Sequence, residues 1–176
     1  DDFKDLLSTV DAVIHIATEW GDYEKTVEIN VDRTLDMFSY VDPDRCEKIL
    51  YFSTASILNQ NNKPMPEAEQ FGTPYIRSKY LAYSELQNSV LKDKVITLFP
   101  TVVFGGNDSY PKSHLNEGIP NSIHYLKYLR WFHIDASFHF LHASDIATIT
   151  ATLLEDKEIR YKDIVLGRPA ITEKEA

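Results

Sequence analysis

Apolar runs alternate along the chain with segments whose apolar positions recur every three or four residues. Val10 to Ala17 reads as a buried strand, and Lys48 to Ser53 and Lys94 to Phe99 read as two more, the last closed by Pro100. Residues 23–40 place Val27, Val31, Leu35 and Phe38 on one helical stripe, with Asp22 as N-cap. Thr73 and Pro74 are an N-cap followed by proline at the first helical position, which predicts a helix to about Leu91. Ser144 is the predicted cap of a helix bearing Ile146, Ile149, Leu153 and Leu154, and Ile164 to Leu166 gives a last short strand. Residues 59–64 and 105–108 read as loops.

Continuously apolar strands alternating with helices predict a parallel sheet covered on both faces. The expected architecture is α/β, a doubly wound Rossmann-like sheet forming a single domain over residues 1–176. Two signals predict that it is incomplete at both ends. Thr172 and Glu175 fit a capping box just before the last residue, Ala176. A dinucleotide fold should also open on a glycine-rich turn, yet Gly21, Gly72, Gly105, Gly106, Gly118 and Gly167 include no G-x-G-x-x-G spacing. The competing reading is a complete small domain with an acidic tail.

Composition narrows the partners. With 43% hydrophobic and 26% charged residues, the chain is ordinary for a soluble globular protein, and no run approaches the ~18 apolar residues of a membrane span. A formal charge of −9 disfavours nucleic acid, whose phosphates need concentrated Lys and Arg. The single Cys46 forms no internal disulfide, and the first residues lack the basic and apolar regions of a signal peptide, so the expected location is cytoplasmic.

The candidate chemistry lies in Thr54, Tyr75 and Lys79. Tyr75 and Lys79 stand four apart on one predicted helix and share a face. A free phenol titrates near ~10 and is a poor proton donor at neutrality. An ammonium ~4 Å away, at an effective dielectric of ~20, contributes about 4 kcal/mol, which predicts a phenol lowered by about three units before desolvation is subtracted. That would bring it toward the operating pH for general acid–base catalysis. Thr54 would hold a substrate oxygen beside it. Tyr-x-x-x-Lys alone is a weak signal; its position, opening a helix after a strand that ends in Ser53-Thr54, gives it weight. The structural alternative is a packed Tyr75 and a snorkelling Lys79.

In order and spacing the segments resemble an extended short-chain dehydrogenase/reductase of the NAD-dependent epimerase/dehydratase type. Val10 to Thr18 resembles "DxVxHxAA", Asn30 to Thr34 resembles "NxxGT" with Arg33 for Gly, and Leu50 to Ile57 resembles "SSxxVYG". Leu98 to Gly105 resembles "LRPxxVYG", and Phe140 to Ala147 resembles "FIHVxDVA". The resemblance implies Tyr75 as general acid/base, Lys79 as its modulator and a nicotinamide-ribose ligand, and Thr54 as the hydroxyl partner. Ala17, Thr18, Ser53 and Pro100, with Tyr75 and Lys79, would line NAD or NADP. Asn30 falls near the active site by the same resemblance, or serves as a core hydrogen-bonding residue. The implied activity is an oxidoreductase or epimerase acting on a carbonyl or alcohol, with nucleotide sugars among the candidate substrates. Residues 106–140 would contribute partly to the substrate side.

Departures mark a divergent branch and leave the substrate class open: Leu58-Asn59 for Tyr-Gly, Phe99 for Arg, and Val102 where Asn is frequent. Ala55-Ser56 replaces the acidic pair of dehydratases, which disfavours dehydration. Trp20, just past the first strand, either touches substrate together with Thr54 or covers the sheet edge. Tyr125, Tyr128, Trp131, Phe132, Phe138 and Phe140 form either a substrate lid or packed core. His133, His139 and His142 lack the convergence of a zinc site, so no metal is expected. A small-molecule substrate is the expected partner, and a homodimer stays open. The alternative function is a catalytically silent relative that senses a dinucleotide or binds a protein. Lacking a pyrophosphate-binding turn, residues 1–176 alone are expected to bind dinucleotides poorly and to be inactive.

Overall fold

A computed structural model describes residues 2–106, 109, 137–158 and 160–172. Of the aromatic stretch, Tyr125, Tyr128, Trp131 and Phe132 lie outside the described residues, as do His133 and Glu175. The chain falls into two compact units, Asp1–Phe99 with Asp156–Val165 and Pro100–Glu155 with Leu166–Ala176.

The first unit is a parallel α/β sheet with flanking helices. Its elements are α1 (Asp2–Leu7), β1 (Ala12–His15), α2 (Tyr23–Val27), α3 (Thr34–Ser39), β2 (Lys48–Phe52), α4 (Glu67–Phe71), α5 (Pro74–Asn88), β3 (Val95–Pro100) and β7 (Asp163–Leu166). The strand order is β1-β2-β3-β7, with β1–β2 and β2–β3 parallel. Ile49, Tyr51 and Val95 alternate onto the face that packs Phe38 of α3 and Ala82 and Leu86 of α5. Leu50, Ile96 and Leu98 point the other way and are buried as well. Burial on both faces explains why β2 and β3 read as continuous apolar runs. β1 is shorter than its apolar run and ends the sheet order. It leaves Ile14 44% and Ile16 64% exposed, so the expectation of a fully buried first strand is corrected.

The helix expected over residues 23–40 is interrupted. Between α2 and α3 the segment Glu28–Arg33 is a π turn, and the Thr34 hydroxyl donates to the carbonyl of Ile29, five residues back, at 3.1 Å. Such single turns carry one extra residue and recur at functional sites. This one turns Asn30 and Val31 inward together. Asp22 caps α2 through Lys25 N–H at 3.0 Å, as its position predicts.

Helix α5 begins where the sequence places it. Thr73 accepts from Ile76 N–H at 3.3 Å, and Pro74 occupies the first turn. Gly72 joins α4 to α5 so closely that a Cβ there would collide with the Ala68 carbonyl oxygen.

The second unit holds β4 (Val102–Phe104) parallel to β6 (Phe140–His142), β5 (Ser137–Phe138) antiparallel to β8 (Ile171–Thr172), and α6 (Ala143–Glu155). Ser144 is not the cap of α6, which starts one residue earlier. The His142 ring takes that role: its Nδ1 accepts from Ser144 N–H at 3.1 Å. Among the described residues, no helix is long and apolar enough to cross a membrane.

Thr73→Ala should cost about 1 kcal/mol in urea denaturation, and Thr73→Ser should stay near wild type, since only the alanine loses the capping oxygen.

Candidate active site

The carboxyl ends of β1 and β2 and the first two turns of α5 converge on one group of side chains. β2 ends at Phe52, and the chain continues through Ser53 and Thr54, both buried, into a short 3₁₀ turn at Ala55–Ile57. Thr54 accepts from Ser56 N–H at 3.2 Å, which fixes its hydroxyl at the head of that turn. The same hydroxyl stands near the phenol of Tyr75 and favours its ionised form.

One helical turn after Tyr75 lies Lys79, only 2% exposed. Its Nζ donates to the Phe52 carbonyl at 2.9 Å. It stands 5.4 Å from the ring centre of Tyr51 and 6.0 Å from that of Tyr75. Trp20, on the loop after β1, stacks on the opposite neighbour: its ring centre is 4.1 Å from that of Tyr75, at an interplanar angle of 17°. On the inner side Tyr51 stacks with His15 at 5.7 Å and 25°. His15, Tyr51, Lys79, Tyr75 and Trp20 thus follow one another as a ladder of rings with an ammonium in its middle.

A second set of bonds fixes this ladder to the loop after β1. The buried amide of Asn30 has both donors and its oxygen in use. It donates to Ser78 Oγ and to the Glu19 carbonyl, each at 3.0 Å, and accepts from Glu19 N–H at 2.7 Å and Thr18 Oγ1 at 3.3 Å. Ser78 in turn donates to the Tyr75 carbonyl at 2.8 Å. One side chain therefore ties the loop carrying Trp20 to the helix carrying Tyr75 and Lys79.

Thr54, Tyr75, Lys79 and Trp20 are brought together, with Ser53 adjacent. Ala17 and Thr18 lie exposed beyond the end of β1. Pro100 closes β3 and belongs to the second unit. Sequence reading missed Tyr51, His15 and Ser78 as parts of the group. The available signal was their spacing, since Tyr51 precedes Ser53 by one strand repeat and Ser78 is the neighbour of Lys79. His139 and His142 are engaged elsewhere: Nδ1 of His139 lies 2.7 Å from the Arg168 carbonyl, and His142 caps α6.

The electrostatics differ from the sequence expectation. Burial pushes the Tyr75 phenol above its ordinary range, and the nearby Thr54 hydroxyl opposes this only in part. Burial also lowers Lys79, to about 8. The expected lowering of the phenol by a close ammonium is therefore corrected: both groups are desolvated together, and the amine lies beside the ring face. Burial, helped by the nearby Lys79 charge, holds His15 down to about 4.

The donors present suit the nicotinamide-ribose end of a dinucleotide. Lys79 uses one of its three donors on Phe52, the buried Ser53 Oγ makes no hydrogen bond, and small residues, Ala17 and Thr18, follow β1. They do not provide for the pyrophosphate, for which the sequence contains no glycine-rich turn.

The family model described as the NAD dependent epimerase/dehydratase family matches residues 1–167. None of the curated proteins matches the chain. Among solved structures, UDP-N-acetylglucosamine 4-epimerase from Bacillus cereus is similar at 21% identity and a TM-score of 0.67, over 99% of this chain and 64% of its own. UDP-glucuronic acid 4-epimerase from Bacillus cereus, in complex with NAD, gives 20% identity and a TM-score of 0.69, over 99% and 60%. RMD from Pseudomonas aeruginosa, complexed with NADPH, gives 20% and 0.67, over 98% and 65%. At such identities the likeness speaks for the fold alone. The chain spans 54% to 65% of the length of the solved structures it matches here.

His15 has a folded value of about 4 against 6.5 in the unfolded chain, so folding favours its neutral form. Its contribution is whole above pH 6.5 and is lost as pH falls through about 4. Urea denaturation should show stability falling across that window by up to about 3 kcal/mol. His15→Asn should flatten this part of the profile.

Proposed function

Because this chain belongs to the NAD-dependent epimerase/dehydratase family, we propose that it carries the acid–base centre of an NAD(P)-dependent oxidoreductase or epimerase acting on a carbonyl or alcohol. The observation that carries this reading is the convergence of the Thr54 hydroxyl and the Tyr75 phenol with the buried ammonium of Lys79, one helical turn along α5. The site lies beyond the carboxyl ends of parallel strands, where open α/β sheets bind ligands.

A bound nicotinamide dinucleotide supplies the acceptor or donor of hydride at the substrate carbon. Tyr75 Oη gives a proton to the substrate oxygen in reduction and takes it back in oxidation. Thr54 donates a hydrogen bond that holds the oxygen in reach of Oη. Lys79 places a positive charge beside a phenol that would otherwise resist ionisation, and its remaining donors would hold the cofactor's ribose. Ala17, Thr18 and Ser53 would complete the cofactor's surroundings within the first unit. Trp20 forms a wall against which substrate lies, and its stack on Tyr75 confines approach to the hydroxyl end of the ring. Nothing acidic follows Thr54, where the chain has Ala55-Ser56, so oxidoreduction or epimerisation is favoured over loss of water. The nucleotide sugars in the names of two structural relatives are the first substrates to try.

In the intact protein, Tyr75→Phe should lower kcat by roughly 10²–10⁴-fold while leaving reduced-cofactor binding, read by fluorescence, nearly unchanged. Turnover equal to wild type would remove Tyr75 from the reaction.

A further inference from the structure

Lys79 is a buried cation with an unusual set of neighbours. Among the described residues no carboxylate forms an ion pair with it. What faces it is the Phe52 carbonyl and the Tyr51 ring from β2, Tyr75 from its own helix, and His15 from β1, held neutral down to about pH 4. One carbonyl does not replace the hydration of an ammonium. The aromatic faces supply the rest, since an ammonium within ~6 Å of a ring centre is attracted by the ring's negative face, and more so when dry.

We propose that Tyr51 is a positioning residue for Lys79, its buried ring serving as the floor on which the ammonium rests in line with Tyr75. Tyr51 is fully buried and held from below by the stacked His15 ring, so it cannot withdraw from the charge. Its hydroxyl makes no hydrogen bond, so the ring, and not the oxygen, is what the position uses. Register supports the same view. Tyr51 lies directly between His15 and Thr97 on adjacent strands, on the face that α5 covers. The floor thus belongs to the rigid centre of the sheet and the ammonium to a helix packed upon it. The inference rests on the reading of Lys79 as a site residue, but its geometry is independent of whether proton transfer occurs.

The test follows the titration of Lys79 by NMR in protein labelled with ¹³C at lysine Cε, the signal being assigned by its loss in Lys79→Met. Wild type should titrate near 8. Tyr51→Phe keeps the ring and should titrate within a few tenths of that value. Tyr51→Leu removes the ring and should lower the midpoint by roughly one unit. In the intact protein the alkaline limb of the kcat profile should move with it. If Tyr51→Leu fails to fold, a Tyr51→Phe series with increasing ring fluorination keeps the shape and weakens the ring's field, and the midpoint should fall stepwise. An unchanged midpoint in Tyr51→Leu or across the fluorinated series overturns the proposal. So does Tyr51→Phe shifting as far as Tyr51→Leu, which would assign the effect to the hydroxyl. A shift as expected in a protein whose Tyr75→Phe variant keeps full turnover would leave the positioning role standing and remove the proton-transfer reading.

Discussion

The seating of one ammonium in a desolvated pocket constrains the rest of the site. An unpaired buried charge is costly, and the usual remedy, a carboxylate partner, would remove the charge's influence on its neighbours. Here Lys79 is held by a carbonyl and two aromatic faces, which stabilise a cation without neutralising it. Each support requires a defined backbone. The carbonyl comes from the last residue of β2, the floor ring from one residue earlier, and the facing ring from the preceding turn of α5. The cap at Thr73 fixes where that helix begins, and so fixes the height of Tyr75 and Lys79 above the strand end.

Rigidity around this charge is supplied by hydrogen bonds that are complete. Asn30 uses both its amide protons and accepts twice at its oxygen, bridging the loop after β1 and Ser78 of α5. A buried amide with every valence filled resists displacement, because moving it would orphan several groups at once. Trp20 is therefore held against Tyr75 from a loop that is itself anchored, with Gly21 at φ +156° supplying the bend that follows. The Tyr75 ring has both the ammonium and the indole close by, which leaves its hydroxyl end, beside Thr54, as the reactive edge.

Much of this was legible in the sequence. The strands appeared as apolar runs because β2 and β3 are buried on both faces, and α5 announced itself through Thr73-Pro74. Tyr75, Lys79 and Thr54 could be grouped because a four-residue spacing and a strand end are local properties. The ladder was not legible. Whether Tyr51 stacks on His15, and whether Trp20 lies on Tyr75, depends on strand register and loop path, and no spacing along the chain encodes those. The direction of the Tyr75 shift was misread for the same reason: a charge four residues away is visible in sequence, whereas the desolvation that outweighs it is a property of the packed sheet. The cap of α6 shows the limit at shorter range. Ser144 has the right residue type, yet the His142 ring, arriving from β6, takes the bond first.

The π turn between α2 and α3 carries an evolutionary cost. Its surplus residue is what lets Asn30 face the site while Thr34 and Phe38, further along, still reach the core. Deleting any one residue of Glu28–Arg33 would restore a regular α-helix and so look conservative by helix propensity. The helix beyond would keep Thr34 and Phe38 against the core, because the turn absorbs its surplus residue locally, and what would be lost is the inward placement of Asn30. Shortening the segment by one residue should thus spare the core and break the bridge that Asn30 makes between the loop after β1 and Ser78.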